Sequence, residues 1–147
     1  MKFDLERYFK RINWQPKDES PLEKLKMVHF KHITSIPFEN LDVYTKKTVA
    51  IDPDSVFDKL VINKRGGYCF EMNCLLHQAL SAMGYDVKSY LARISLGEYG
   101  FGPYTHRINI AQLNGERYIL DVGYGGNCFV MPIKLEENVE QKQLWMN

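Results

Sequence analysis

The chain has no uninterrupted apolar stretch near the roughly 20 residues of a membrane span. Its first residues, Met1-Lys2-Phe3-Asp4-Leu5-Glu6-Arg7, are of mixed charge where a signal peptide would be apolar, so a cytoplasmic protein is the expectation. Neither sign of charge is in excess: 19 Lys and Arg stand against 18 Asp and Glu. The cations are scattered, which offers nucleic acid and anionic membranes no surface. Cysteine is sparse and odd in number. Cys69, Cys74 and Cys128 cannot all pair within one chain, and without an export signal a disulfide framework is not expected. Their spacing lacks the paired ligands of a zinc site, so no metal is expected either. There is no internal repeat and no low-complexity tract. What is present is about one domain's worth of chain, 45% hydrophobic and 25% charged, the composition of a soluble globular protein. Cysteine chemistry, or plain burial, is left for the three thiols.

Leu5, Tyr8, Phe9 and Ile12 mark one face of a short helix within Asp4 to Trp14. Ser20-Pro21-Leu22-Glu23 then presents a capping box, with Ser20 as N-cap, proline at the first helical position and Glu23 three residues on. Leu22, Leu25, Val28 and His29 continue that face toward Ile33, until Ile36-Pro37 stops the helix. Ser55 is the candidate cap of a further short helix carrying Val56, Phe57, Leu60 and Val61. Gly66-Gly67 supplies a tight turn ahead of a helical pattern from Cys69 to Met83, which Gly84 closes. Beyond Gly84 the period falls to about 2. Val87 to Leu96, Arg107 to Leu113 and Arg117 to Val122 read as strands, with Gly97 to Tyr104 a glycine-rich loop between the first two. Asn114-Gly115 joins the last two as a type I′ hairpin. Met131-Pro132-Ile133 begins another strand. Helices first and antiparallel strands second make an α+β fold, with a helical subdomain over 1–84 and a β subdomain over 85–147. The final Leu144-Trp145-Met146-Asn147 carries neither turn signal nor cap, as expected of a chain cut inside a fold.

A lone cysteine in a helix is usually a small core residue. Cys69 differs by position: at a helix N-terminus the macrodipole and unsatisfied N–H groups stabilise a thiolate. The preceding glycines let another molecule's carbonyl approach, and Arg65 adds positive charge nearby. Cys74 lies a turn and a half further on, where burial is the reading, and Cys128 receives no role. A thiolate nucleophile needs a base, and the base an orienting group. His29 and His32 in the early helix, and His77 two turns past Cys69, have no reason to face the thiol. His106 opens a strand directly after the glycine-rich loop, and Asp121 closes the returning strand of the hairpin. Partners flanking Asn114-Gly115 sum to 229, so Thr105 and His106 face Gly123 and Tyr124, two or three places beyond Asp121; a bulge or a curved strand would close that offset. The order nucleophile, base, orienter is that of other thiol enzymes.

Arg65-Gly66-Gly67-Tyr68-Cys69-Phe70-Glu71-Met72-Asn73 resembles the active-site signature of the arylamine N-acetyltransferases. Ile36-Pro37-Phe38-Glu39-Asn40-Leu41, Thr105-His106 and Asp121-Val122-Gly123-Tyr124-Gly125 are similar to further motifs of that family, in the same order. The resemblance runs from the first helix to about Val130. It implies an N-terminal helical bundle followed by an antiparallel β-barrel, on a scaffold related to papain and transglutaminase. It implies acetyl-CoA as co-substrate and an arylamine, arylhydroxylamine or hydrazine as acceptor, in the metabolism of xenobiotics. The reaction would be ping-pong through an acetyl-Cys69 thioester, with His106 managing the proton and Asp121 fixing the imidazole tautomer. Phe38, Phe70 and Phe101 are then candidates to line the aryl pocket. The loop from Gly100 to Tyr104, including Gly102, together with Thr105 and Gly125, would meet the acetyl group or CoA. Glu39 and Arg65 form a buried structural ion pair, or Arg65 tunes the thiol directly.

Members of that family are considerably longer, with a third domain of strands and a helix that lids the cleft. A short form would leave a barrel edge open and hide it by self-association. Two other readings stand beside the acetyltransferase: another Cys-His-Asp acyl transferase or peptidase on the same scaffold, and a catalytically silent truncated homologue that binds a ligand or partner.

Overall fold

The computed structural model describes residues 3–143; the terminal Leu144 to Asn147 lies outside them. Helix α1, Leu5–Arg11, starts at Asp4, whose carboxylate accepts the Arg7 N–H at 3.0 Å. Helix α2, Pro21–Ser35, carries the expected capping box: Ser20 Oγ accepts the Glu23 N–H at 3.3 Å while Glu23 Oε2 accepts the Ser20 N–H at 3.1 Å. It ends where Ile36, ahead of Pro37, turns to an extended backbone. A four-residue helix α3, Leu41–Tyr44, follows. Helix α4, Pro53–Phe57, is capped by Asp52 and not by Ser55, which sits in the first turn and donates its backbone N–H to Asp52 at 3.0 Å. Proline at the first position fixes that start one turn earlier than Ser55 would. The chain then widens into a π-helical turn, Asp58–Ile62.

Helix α5, Cys69–Ala82, is the central element, and every residue from Glu71 to Leu76 is buried. It packs against the strands Asp86–Ser95 and Phe101–Leu113 on one side and the earlier helices on the other, which leaves little of its circumference for solvent. Leu75, Leu76 and Leu80 are fully buried, each contributing about 2 kcal/mol or more by removal from water. Tyr8 of α1 and Ile12 just after it, Leu25 and Val28 of α2, and Val56 and Leu60 complete the core under it. The helix closes at Met83, followed by Gly84 at φ +89°.

The strands are β1, Asp86–Ser95; β2, Phe101–Leu113; β3, Glu116–Leu120; and β4, Ile133–Lys134. They form one antiparallel sheet in chain order β1-β2-β3-β4. Among the described residues this sheet is open and does not close into the expected barrel: β4 pairs only through Tyr118 with Lys134 and Ile119 with Ile133. The hairpin between β2 and β3 has the expected register, from Leu113 opposite Glu116 to Asn109 opposite Leu120. Asn114 and Gly115 both take positive φ, 53° and 80°, as a type I′ turn requires. Half of the glycine-rich segment, from Phe101 to Tyr104, is strand and not loop. Only Gly97–Tyr99 forms a single 3-10 turn, and β2 begins at Phe101, because Arg93 donates to the carbonyls of Gly102 and Phe101 and holds that stretch against β1.

Candidate active site

Cys69 is the first residue of α5, with Tyr68 as the extended N-cap. The Glu71 carboxylate accepts the Tyr68 N–H at 3.1 Å and so fixes the approach to the helix. The preceding glycines serve the chain itself rather than an incoming carbonyl. Phe38 and Gly67 form an isolated parallel bridge, and a Cβ on Gly66 would collide with the Pro37 carbonyl. Arg65 reaches Glu39 Oε1 at 2.7 Å and Asp42 Oδ2 at 3.0 Å; Lys59 joins Asp42 to Glu71 at 2.8 and 2.7 Å. The Glu39–Arg65 pair therefore exists, but with the Arg65 side chain 41% exposed it is not buried. The fully desolvated member of this network is Glu71. Between Lys59 and Arg65, the Asp42 carboxyl is held down to about 2 by the hydrogen bonds both cations donate.

His106 lies inside β2, as its sixth residue. Ala92 pairs with His106 and Arg93 with Tyr104, which makes Thr105 the extra residue of a bulge. A bulge is thus present on the β1 side of β2, whereas the β2–β3 ladder, where the offset to Asp121 lies, pairs regularly up to Asn109 and Leu120. Bulges re-aim side chains next to active sites, and this one leaves the Thr105 carbonyl 3.7 Å from Cys69 Sγ as its acceptor. His106 Nε2 is 2.6 Å from Asp121 Oδ2, both side chains about 7% exposed. Cys69 and His106 line the same cleft, and with Nε2 committed to the carboxylate, Nδ1 is the nitrogen left to serve the sulfur. Burial opposes charge on His106, yet hydrogen bonds and charge from Asp121 and Cys69 outweigh it and raise the imidazole to about 9. Burial likewise works against the Asp121 anion, and the donors around it more than reverse this, leaving its carboxyl below the usual range.

Those donors include Asn73, one turn along α5 from Cys69. Its Nδ2 donates to Asp121 Oδ1 at 2.9 Å and to the Arg107 carbonyl at 2.7 Å, while its Oδ1 accepts the Val122 N–H at 3.2 Å. The Gly123 N–H adds a bond to Asp121 Oδ1 at 2.9 Å. Sequence reasoning quoted Asn73 within the signature and gave it no task. The i, i+4 spacing from the nucleophile was the available signal.

A cleft of about 280 Å³ opens over this group, lined by Phe38, Cys69, Ile94, Thr105, His106, Gly123 and Tyr124. Of the expected substrate-contacting residues, Phe38 and Thr105 line it. Gly125 lies against it from behind: at φ +78°, a Cβ there would come within 2.7 to 2.9 Å of the Phe38 ring. Phe70, Phe101 and Gly102 are not among the lining residues. Phe70 follows Cys69 around the helix and its ring packs on Tyr68 at 5.6 Å. Phe101 is 63% exposed and shares the Arg93 guanidinium with Tyr104. Ile94 and Tyr124, unassigned from sequence, take the wall positions, with the Tyr124 ring edge-on to His106 at 5.7 Å. Cys74 is buried, and Cys128 donates its thiol to the Asp121 carbonyl at 3.4 Å, its pKa pushed up to about 12 by burial. Among the described residues, no group of three or more His, Cys, Asp or Glu is placed to hold a metal ion.

The family model described as N-acetyltransferase matches residues 21–145. The arylamine N-acetyltransferase of Escherichia coli is 41% identical over 138 residues, covering 93% of this chain and 49% of that protein. The solved arylamine N-acetyltransferase from Salmonella typhimurium superposes with a TM-score of 0.89 at 37% identity, over 95% of this chain and 51% of that one. The Mycobacterium marinum arylamine N-acetyltransferase in complex with CoA gives a TM-score of 0.87 at 33% identity, over 95% and 54%. The chain spans about half the length of the relatives it matches. With the family model extending over most of the sequence and a sulfur, an imidazole and a carboxylate gathered at its cleft, the chain belongs to the arylamine N-acetyltransferase family.

Proposed function

We propose that this chain transfers an acetyl group from acetyl-CoA to the nitrogen of an arylamine, arylhydroxylamine or hydrazine, through an acetyl-Cys69 thioester. The observation that carries the reading is the 2.6 Å bond between His106 Nε2 and Asp121 Oδ2, on an imidazole that shares its cleft with the Cys69 thiol at a helix N-terminus. In the first half-reaction the Cys69 thiolate attacks the thioester carbonyl, and the tetrahedral intermediate expels CoA, which takes the proton of the His106 imidazolium. In the second, the amine attacks acetyl-Cys69. Neutral His106 accepts the amine proton, Cys69 leaves as thiolate, and the imidazolium is restored. Exchange of one thioester for another is nearly balanced, so the first step needs positioning more than driving force.

Asp121 would fix the imidazole with Nδ1 toward sulfur and stabilise its cationic form. Phe38 and Tyr124 supply aromatic walls suited to an aryl acceptor, and Phe38 is held in place by Gly125. The relative solved with CoA supports acetyl-CoA as donor. The nucleophile on a helix N-terminus facing a histidine on a sheet is the arrangement of the papain and transglutaminase scaffold, which we take this fold to share. No helix among the described residues is long and apolar enough to cross a membrane, and the reading carries a cytoplasmic location with it.

Intact mass spectrometry after brief exposure to acetyl-CoA, for wild type and Cys69→Ala together, tests the reading. One acetyl on wild type alone, discharged by an arylamine, is the expected result. A folded wild type that takes up no acetyl sinks it and favours the silent binding protein.

A further inference from the structure

Asp121 stands one residue beyond the end of β3, where the ladder with β2 has already stopped at Asn109 opposite Leu120. A buried backbone group without a sheet partner needs another one. Here it comes from α2. His29 is fully buried, with Nε2 3.3 Å from the Asp121 amide nitrogen and 3.1 Å from its carbonyl oxygen, and Nδ1 3.0 Å from the Val130 carbonyl. Burial lowers its pKa to about 4, so the ring is neutral at pH 7 and carries one N–H. Placing that proton on Nδ1 pairs both facing groups that the other tautomer leaves opposed: Nδ1–H donates to Val130 and Nε2 accepts the Asp121 N–H, with the 3.1 Å approach of Nε2 to the Asp121 carbonyl as its one unfavourable contact. The Asp121 carbonyl is then taken by the Cys128 thiol. The opposite tautomer would leave both the Asp121 N–H and the Val130 carbonyl facing groups of their own kind. Phe129 stacks on the ring at 5.6 Å with an 11° interplanar angle and fixes its plane.

We propose that His29 is a positioning residue of the site: it holds the main chain of Asp121 in place of the missing ladder, so that the carboxylate meets His106. The inference rests on reading Cys69, His106 and Asp121 as the reacting set. His29 touches neither the thiol nor the cleft, and acts only through Asp121. The titratable groups facing Asp121 are His106 from β2, His29 from α2 and Cys128 from the following loop; Cys69 and Asp121 face His106; His32 faces His29 along its own helix. His32 supplies an internal control. It is also fully buried and neutral, but its Nδ1 meets the Tyr8 hydroxyl at 2.9 Å and it makes no bond to Asp121.

Long-range nitrogen–proton NMR on the wild type comes first, because it requires no substitution. His29 should be the Nδ1–H tautomer with Nε2 as acceptor; an Nε2–H tautomer overturns the proposal. His29→Leu, His29→Gln and His32→Leu are then compared. In His29→Leu the His106 titration midpoint should fall by about one unit, and acetylation of Cys69 should slow on the order of a hundredfold. His29→Gln, which offers an acceptor and a donor again, should restore both in large part. His32→Leu should lower Tm comparably and leave the His106 midpoint in place. If His29→Leu and His32→Leu lose Tm alike and neither moves His106, His29 is only a core residue. If His29→Leu fails to fold, the tautomer and the His29→Gln titration decide. Absence of acetylation in the wild type would end the proposed function, whereas the His106 midpoints would still judge His29.

Discussion

Asn73 binds Asp121 through the side of the carboxylate that His106 does not use: Asn73 Nδ2 lies 2.9 Å from Oδ1, and His106 Nε2 lies 2.6 Å from Oδ2. The helix that presents the sulfur thus also fixes the acid that orients the base. Asn73→Ala should destabilise the protein by about 2 kcal/mol, because the Val122 N–H and the Arg107 carbonyl lose buried partners. Asn73→Asp should damage acetylation more at equal stability, since it sets a second carboxylate against Asp121. Urea unfolding beside acetyl uptake by mass spectrometry separates the two effects.

The His106–Asp121 pair gives stability a defined pH window. His106 is raised in the folded state from 6.5 to about 9, so its contribution is complete below 6.5 and is lost as pH rises through 9. Asp121 is depressed from 3.8, so its contribution is complete above that value and is lost in acid. Asp121→Asn should therefore cost most between these limits, on the order of 2 kcal/mol after allowance for screening at the cleft mouth. Urea midpoints at about pH 6 and about pH 10 check the sign: the gap between wild type and variant should narrow at the higher pH.

Lys59 bridges Asp42 and Glu71, and Glu71 is the partner with nowhere else to place its charge. Lys59→Met should destabilise by about 3 kcal/mol, leaving a buried carboxylate unpaired. Adding Glu71→Gln should recover most of the loss, because the amide oxygen can still accept the Tyr68 N–H. A double-mutant cycle in urea tests it; additive losses would show that the two residues act separately.

Gly123 permits the turn after Asp121 to lie directly on the nucleophile. A Cβ there would stand 2.7 Å from Cys69 Cα and 3.2 Å from its carbonyl oxygen, both backbone atoms that cannot swing aside. Gly123→Ala should reduce acetylation by at least about tenfold through displacement of the cysteine. Gly125→Ala, strained at φ +78° and pressing on a side chain instead, should mainly alter discrimination among aryl acceptors. Rates with two arylamines of different width read both effects.

Much of this was legible in the chain. Ser20 and Glu23 declared the start of α2, Ile36-Pro37 its end, and Asn114-Gly115 set a register that holds over five residue pairs. These are local signals, each written within a few residues. The sequence misled where the deciding partner lay elsewhere in the chain. Glycines at 97, 100 and 102 read as a loop, while Arg93 holds the second half of that stretch, from Phe101 on, in β2. Gly66 and Gly67 read as room for a ligand, while Pro37 and Glu39 fill the space at Gly66 and Glu71 and Leu60 that at Gly67. His29 was set aside because its helix gave it no reason to face the thiol. Its task is to hold a backbone 92 residues away, which periodicity cannot express.

The sheet joins strands in the order in which they occur, and β1, β2 and β3 follow one another across short loops. The bonds that complete the cleft span far longer stretches: 36 residues from Cys69 to Thr105, 48 from Asn73 to Asp121, and 92 from His29 to Asp121. Closing such loops costs entropy that grows slowly with length and is recovered only when both ends are already ordered. The hairpins can therefore exist without the cleft, but the cleft cannot exist without the docking of α2 and α5 on the sheet. A loss of packing anywhere between those helices and the sheet would disarm the sulfur before it unravelled a strand.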